Sequence, residues 1–190
     1  MSVRFASLLL LFLASVTLAG CFPVASVGSG AGVMMAQDRR TREAFLDDHK
    51  IEVDGSDLVY GKFKTMIHVN LTSFNRNALI SGEVPDEATR NEVGSLISGL
   101  PNVHSVYNEL TVSPPSSLAL RSNDSLITSD VKLRFVNDKR ISSEHIKVVT
   151  EGGVVYLMGI VTRYEGDAAA EIASTSKGVA QVVKLFEYLD

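Results

Sequence analysis

The chain has 190 residues, a net charge of −4 and a mean hydropathy of +0.16. This acidic balance argues against a nucleic-acid partner, because phosphate backbones are bound by basic surfaces. The single cysteine, Cys21, excludes an intrachain disulfide, so any folded domain must be stabilised by its hydrophobic core.

The first 20 residues have the layout of a secretory signal peptide. Arg4 supplies a short positive start, residues 5–13 are almost entirely apolar, and small residues follow. The apolar run is shorter than the roughly 20 residues that a permanent membrane-spanning helix needs. We therefore predict that residues 1–20 are removed from the mature protein.

The segment Leu18-Ala19-Gly20-Cys21 ends this layout and matches the bacterial lipobox. Small residues before the cysteine fit the signal peptidase, and the Cys21 thiol would carry diacylglycerol. The alternative is a plain signal peptide with a chance cysteine, but Cys21 stands at the expected distance from the apolar run. Two or more acyl chains attach a protein stably to a bilayer. The second mature residue is Phe22 rather than aspartate, so nothing in the sequence holds the protein in the inner membrane.

Residues 21–42 are predicted to be the lipidated N-terminus and a tether, because this region is rich in Gly, Ser, Ala and Val without a clear period. The glycines at 28–32 superficially suggest a phosphate-binding loop, but they follow no strand, so we interpret them as part of the tether.

Two adjacent prolines, Pro114 and Pro115, mark a second break in the chain, because proline ends both helices and strands. We predict domains at residues 43–113 and 122–190, joined by a linker at 114–121. Domains of about 70 residues are marginal without disulfides, so we expect the two to pack against each other.

The two predicted domains are sequence repeats. The alternating pattern from Val69 to Val84 recurs 77 positions later, from Ile146 to Val161, and each copy predicts a β-hairpin. Gly82 and Gly159 fall at the same place in the second strand, where glycine indicates a bulge or a close backbone approach.

Helices and a last strand flank each predicted hairpin. The helices are predicted at 51–64, 86–98, 125–137 and 165–177, and the last strands at 103–110 and 179–186. Gly55 and Gly61 each cost about 1 kcal/mol in a helix interior, so the first helix is expected to be short, irregular or displaced. Residues 123–125 offer N-cap oxygens to the third. The order helix–strand–strand–helix–strand predicts an α+β domain with two helices on one face of a three-stranded mixed sheet.

The chain resembles the BON domain in the order of its elements: a hairpin with an internal glycine, then a helix, then a final Gly-Val-x-x-Val segment. The sharpest pieces of this resemblance are Val106-Tyr107-Asn108-Glu109, Ser122-Asn123-Asp124 and Tyr156-Leu157-Met158-Gly159-Ile160-Val161-Thr162. A lipobox followed by two such domains resembles the dual-BON outer-membrane lipoproteins, and the resemblance covers nearly all of the mature chain. It implies a role in outer-membrane integrity, with the second domain contacting anionic phospholipids such as phosphatidylglycerol.

Catalytic or metal-binding chemistry finds little support in the sequence. The nearest approach to a polar catalytic cluster is Asp47-Asp48-His49, for which a helix cap or a solvated loop is the favoured interpretation. His68 and His145 occupy equivalent places before the first strand of each hairpin. One such ligand per repeat, with no neighbouring His or Cys, does not make a metal site. We expect a protein without catalytic residues, metal or cofactor.

The predicted helix at 125–137 carries two apolar stripes. At 100° per residue, the first stripe should face the sheet and the second is one that the core does not need. The first consists of Ile127, Val131 and Phe135, and the second of Leu126, Leu133 and Val136. Basic residues lie between or just after them: Lys132, Arg134, Lys139 and Arg140. Apolar tips flanked by basic residues suit an anionic bilayer interface, whereas packing against the first domain or the linker is the alternative.

The family resemblance implies lipid-contacting apolar positions at Leu126, Val131 and Val136. Together with the second stripe and its basic neighbour, the candidate lipid-binding residues are Leu126, Val131, Lys132, Leu133 and Val136. Relatives carry tryptophan where this chain has Leu126, and tryptophan is the better interfacial anchor, so a weaker or differently tuned lipid affinity is expected.

We predict a lipid-anchored outer-membrane protein that faces the periplasm, binds anionic phospholipid and supports envelope integrity. The alternative is a protein-interaction scaffold that docks an outer-membrane assembly or cell-wall remodelling partner through exposed sheet faces or the second stripe. Exposure of Leu126, Leu133 and Val136 favours lipid, and their burial between the domains favours a structural role.

Overall fold

The chain folds as helix–strand–strand–helix–strand twice in succession. A computed structural model describes residues 38–190. The first copy comprises α1 (Arg42–Phe63), β1 (His68–Phe74), β2 (Asn77–Val84), α2 (Glu87–Ser98) and β3 (Ser105–Val112). The second copy comprises α3 (Leu118–Asn137), β4 (Ile146–Glu151), β5 (Val154–Val161), α4 (Arg163–Ser174) and β6 (Gln181–Tyr188).

Each copy has its own three-stranded mixed sheet. In both, the first two strands are antiparallel and the third is parallel to the second. Val69 pairs with Gly82 as Ile146 pairs with Gly159, which confirms the 77-residue offset and the predicted α+β fold of two repeats. A Cβ atom at Gly82 would lie 2.1 Å from the carbonyl oxygen of His68, so glycine is required by the approach of the neighbouring strand.

The two helices of each domain cover one face of its sheet. The first core is built from α1, α2 and the inward residues of β1 and β2, and includes Ile51, Val59, Ile80, Val93 and Ile97. The second core is built from the equivalent elements, α3, α4, β4 and β5, and includes Ile127, Phe135, Val148, Leu157 and Ile172.

The other faces of the two sheets pack against each other. Phe74 and Leu79 from the first domain and Tyr156 and Met158 from the second form a third buried apolar cluster. Mutual packing of the two domains is therefore confirmed. It also overturns one route of the scaffold hypothesis, docking through these sheet faces, because they cover each other; docking through the second stripe is not affected.

Helix α1 differs from its prediction, because it runs unbroken for 22 residues rather than being short or displaced. Gly55 lies against the sheet and α2, where a Cβ atom would come within 2.3 Å of the Leu71 side chain and 2.9 Å of the Ile97 side chain. Packing gained by this close approach outweighs the low helix propensity of glycine.

Helix α3 begins at Leu118, seven residues before the predicted start. Its N-cap is Ser117, whose hydroxyl accepts from the backbone N–H of Leu120, so residues 118–121 are helix rather than linker. Asp124 does not cap the helix. Its carboxylate accepts from the backbone N–H groups of Gly152 and Gly153 in the β4–β5 turn.

The helix and strand after each hairpin are also displaced slightly from their predicted bounds. The capping box of Thr162 and Glu165 starts α4 two residues early, and β3 and β6 begin two residues later than predicted.

Candidate functional site

Helix α3 presents an apolar surface to solvent. The side chains of Leu126, Leu133 and Val136 are 70%, 62% and 68% exposed. Leu118, which lies in the predicted linker, is exposed on the same side, because it lies 18 residues, or five turns, before Val136. We call Leu118, Leu126, Leu133 and Val136 the α3 apolar stripe.

Val131 does not belong to this surface, and its assignment as a lipid-contacting residue is wrong. The side chain is fully buried in the second core. It is four residues from both Ile127 and Phe135, so all three point at the sheet on one face of the helix. Val131 cannot reach a bilayer while the domain is folded.

Two lysines supply the basic charge beside the stripe. Lys132 and Lys139 are exposed, and neither forms a salt bridge within residues 38–190. Asp130, also exposed on α3, places one opposing negative charge next to the leucines of the stripe.

The two arginines near the stripe are engaged within the domain. Arg134 donates to the carbonyl of Ile172 at 2.7 Å and to the hydroxyl of Thr175 at 2.8 Å. Arg140 pairs with Asp138 and Glu171, each at 2.9 Å, and these bonds raise its pKa above the ordinary value. Arg140 is therefore a poorer candidate for phosphate contact than the two lysines.

Asp47-Asp48-His49 lies inside α1, so neither a helix cap nor a solvated loop describes it. The buried Asp48 carboxylate accepts from the backbone N–H groups of Asn75 and Arg76 in the β1–β2 turn, at 2.8 and 2.7 Å. Asp47 accepts from the Arg76 guanidinium at 2.7 Å. The arrangement clamps a turn, as Asp124 does in the second domain.

The two equivalent histidines have different surroundings. His68 Nδ1 lies 2.7 Å from a carboxylate oxygen of Glu83 and 3.9 Å from one of Glu151. His145 Nδ1 lies 3.8 Å from Glu165. Sequence reasoning missed the His68 cluster because Glu151 comes from the other domain.

Arg39 fixes the segment before α1 to the second domain. Its guanidinium donates to both carboxylate oxygens of Glu165, at 2.8 and 2.9 Å, and to the carbonyl of Ile160. The bond from Arg39 lowers the pKa of Glu165 to about 2. Arg39 lies within residues 21–42, so the end of the predicted tether is attached to the domain that carries the α3 apolar stripe.

Acid should weaken this attachment. Because the pKa of Glu165 is lower in the folded state, the ionised carboxylate stabilises the fold above the ordinary pKa of 4.5, and this contribution is lost as pH falls towards 2. Arg39→Ala should lower the free energy of unfolding by about 1–2 kcal/mol at pH 7, and the difference from the wild type should shrink between pH 4.5 and 2. Denaturant titrations across this range measure it. Arg42→Ala, at an exposed position, is the matched control, and a pH-independent effect of Arg39→Ala would contradict the assignment.

None of the helices within residues 38–190 combines the length and hydropathy that crossing a membrane requires.

The fold is that of a two-domain α+β protein with an apolar helix face left open to solvent. The BON domain family matches residues 55–114 and 123–190, and the chain belongs to this family as a dual-BON protein.

Several characterised proteins resemble the chain over most of its length. It is 37% identical over 179 residues to the outer membrane lipoprotein DolP of Haemophilus influenzae, a match that covers 93% of each chain. It is 29% identical over 128 residues to a 21 kDa hemolysin of Actinobacillus pleuropneumoniae, covering 67% of this chain and 66% of that protein. It is 28% identical over 143 residues to the osmotically-inducible protein Y of Escherichia coli, covering 73% and 71% respectively. The protein is therefore DolP-like in both domain content and extent.

Proposed function

We propose that this protein is a lipid-anchored protein of the outer membrane, facing the periplasm, that binds anionic phospholipid through α3 and supports envelope integrity. The observation that carries the proposal is the α3 apolar stripe, which remains open to solvent although both domain cores and the interface between the sheets are filled. Similarity to an outer membrane lipoprotein supports the location.

The proposed anchor lies outside the described residues. Residues 1–20 and Cys21 form the signal peptide and lipobox, and acylation of Cys21 would hold the two domains at the bilayer surface. In this role the protein is a binding protein rather than an enzyme.

Weak surface binding is sufficient for a tethered domain. Each lysine near an anionic surface contributes about 1 kcal/mol, and a fully buried leucine or valine about 1.5–3 kcal/mol, with less for partial insertion. Neither contribution alone gives firm binding. An anchor in the same membrane raises the effective concentration of the helix at the bilayer, so their sum becomes significant.

Vesicle co-sedimentation tests the proposal on residues 22–190, which lack Cys21, so that the anchor cannot mask the result. The wild type should bind phosphatidylglycerol vesicles and release them at high salt, because salt screens the lysine contribution. Leu126→Glu combined with Val136→Glu should abolish binding, because two carboxylates would have to enter the headgroup region. The thermal midpoint should stay nearly unchanged, because both side chains are exposed.

The matched control is Leu46→Glu combined with Met66→Glu on the first domain, where the side chains are 63% and 64% exposed. This control adds the same charge and should keep binding. Unchanged binding of the α3 variant, or an equal loss in the control, would contradict α3 as the lipid surface. If the wild type binds no vesicles, the lipid proposal is overturned, and docking of a protein through the α3 apolar stripe is the remaining candidate, since the sheet faces are already covered.

A further inference from the structure

A cluster of metal-ligating side chains lies at the boundary of the two domains. His68 at the start of β1 pairs across the strands with Glu83 of β2, and Glu151 at the end of β4 enters from the second domain. One ligand atom from each lies within 4.8 Å of the other two. The three side chains are only 12%, 11% and 11% exposed, so the cluster is largely withdrawn from solvent.

Each carboxylate is held in place by donors from its surroundings. The backbone N–H and the hydroxyl of Ser116 donate at 3.1 and 3.2 Å to Oε2 of Glu83, the same oxygen that lies 2.7 Å from His68. The side-chain amide of Asn70 donates to one oxygen of Glu151 at 2.7 Å, while the other oxygen faces His68. Such supporting hydrogen bonds orient ligands in metal sites.

The distances fit a small divalent cation. Bonds of about 2.0–2.1 Å in a tetrahedral site place ligand atoms roughly 3.3 Å apart. The imidazole nitrogen lies 2.7 Å from Glu83 and 3.9 Å from Glu151, on either side of that value. Sub-ångström side-chain movements would therefore equalise them.

The negative charge of the cluster and its access from solvent also favour a bound cation. Two carboxylates face one imidazole, and the buried carboxylate of Asp124 lines the adjoining cavity, so negative charge accumulates at this place. Arg121, the basic residue that lines the adjoining cavity, donates to Ser116. That cavity, of about 270 Å³, is lined by both His68 and Glu151 and gives a cation a path from solvent and room for a bound water.

We propose that His68, Glu83 and Glu151 bind one zinc ion that links the two BON domains. One nitrogen and two carboxylate ligands, with water in the fourth position, suit Zn²⁺, whereas Ca²⁺ takes six to eight oxygen ligands. Since Glu151 is the ligand from the second domain, the ion would stabilise the packing of the two sheets.

The test is titration of ZnCl₂ into residues 22–190, which lack the Cys21 thiol, by calorimetry and by thermal unfolding. One ion should bind per chain, and an excess should raise Tm by about 5 °C, because a ligand that binds only the folded state stabilises it. CaCl₂ at the same concentration should not. Glu151→Gln and His68→Asn should each weaken zinc binding by at least about tenfold.

His145→Asn is the matched control, because His145 occupies the equivalent position in the second domain. It should leave zinc affinity unchanged. Circular dichroism without metal shows whether each variant is folded, and Glu151→Gln keeps the size of the side chain. The proposal is overturned if zinc does not bind, if either ligand variant binds it as the wild type does, or if the His145 variant loses as much affinity as the His68 variant. None of these results depends on lipid binding.

Discussion

Leu79→Asp should lower the free energy of unfolding by about 3–5 kcal/mol, because it places an uncompensated carboxylate between the two sheets. Leu79 is fully buried in β2, on the face opposite the helices, within the cluster that includes Tyr156 and Met158. Small proteins are stabilised by about 5–15 kcal/mol in total, so the loss should move the unfolding transition to much lower denaturant concentration. Chemical denaturation followed by circular dichroism measures it.

The matched control is Leu133→Asp, the same substitution at a side chain that is 62% exposed. It should lower stability by only about 1 kcal/mol, through the lower helix propensity of aspartate and its proximity to Asp130 and to the end of α3. The wild type should unfold in one transition, since the sheet–sheet cluster couples the two cores. A Leu79→Asp variant as stable as the Leu133→Asp variant would show that the packing of the sheets contributes little.

The repeat and its hairpins could be predicted because their cause is local. Alternation of apolar residues from Val69 to Val84 predicts strands of period two, and its recurrence 77 residues later predicts a second copy. The packing of one sheet on the other could be expected from domain size. The residues that meet across this interface could not be predicted. Contacts such as that of Asn70 with Glu151, 81 residues apart, depend on how the two folded domains pack.

Helix bounds were wrong where a tertiary contact or a cap outweighed a propensity. Gly55 predicted an interrupted helix, but in the structure it permits close packing against Leu71. Ser117 is a local signal that was available, since serine is a favoured N-cap, but the two preceding prolines led us to assign a linker there. Leu118 was therefore missed as part of the exposed surface.

On α3, the angular spacing of side chains separated core from surface correctly, and the family resemblance did not. Val131 falls on the core side by spacing and is buried, although the resemblance had placed it against lipid. Residue-by-residue transfer fails here because the helix face, rather than the aligned position, decides which side chains reach solvent.

Among the polar contacts of the first domain, the hydrogen bonds of Asp48 to the β1–β2 turn should contribute most to the free energy of unfolding. Asp48 accepts from four groups: the backbone N–H of Asn75 and of Arg76, the Ser73 hydroxyl at 2.7 Å and the Arg40 guanidinium at 2.8 Å. Asp48→Ala leaves the buried Ser73 hydroxyl and the two part-buried backbone N–H groups without their acceptor, whereas Arg40 keeps its pairing with Asp38. We expect the free energy of unfolding to fall by about 3–5 kcal/mol, because each unsatisfied buried group costs about 1–3 kcal/mol.

Asp124→Ala provides the comparison within the same molecule and should lower stability by only about 1–2 kcal/mol. Asp124 accepts from two backbone N–H groups, and the residues of its turn, Gly152 and Gly153, adopt positive φ without a steric penalty. In the first domain the turn residues Asn75 and Arg76 have φ of 50° and 66°, so Asp48 must also offset the strain of two side-chain-bearing residues in the left-handed region.

The strain of the β1–β2 turn can be measured separately, with glycine substitutions. Replacing Asn75 and Arg76 by glycine in the Asp48→Ala background should recover about 1–2 kcal/mol, because glycine adopts positive φ without the Cβ clash. The same pair of glycines in the wild type relieves the same clash and loses the same bonds, those of Arg76 to Asp47 and of Asn75 to Glu187, so it should change stability by a similar amount. Denaturant titrations of the four proteins complete a double-mutant cycle. Equal losses for Asp48→Ala and Asp124→Ala, or no recovery by the glycines, would show that Asp48 acts through packing alone and not by holding a strained turn.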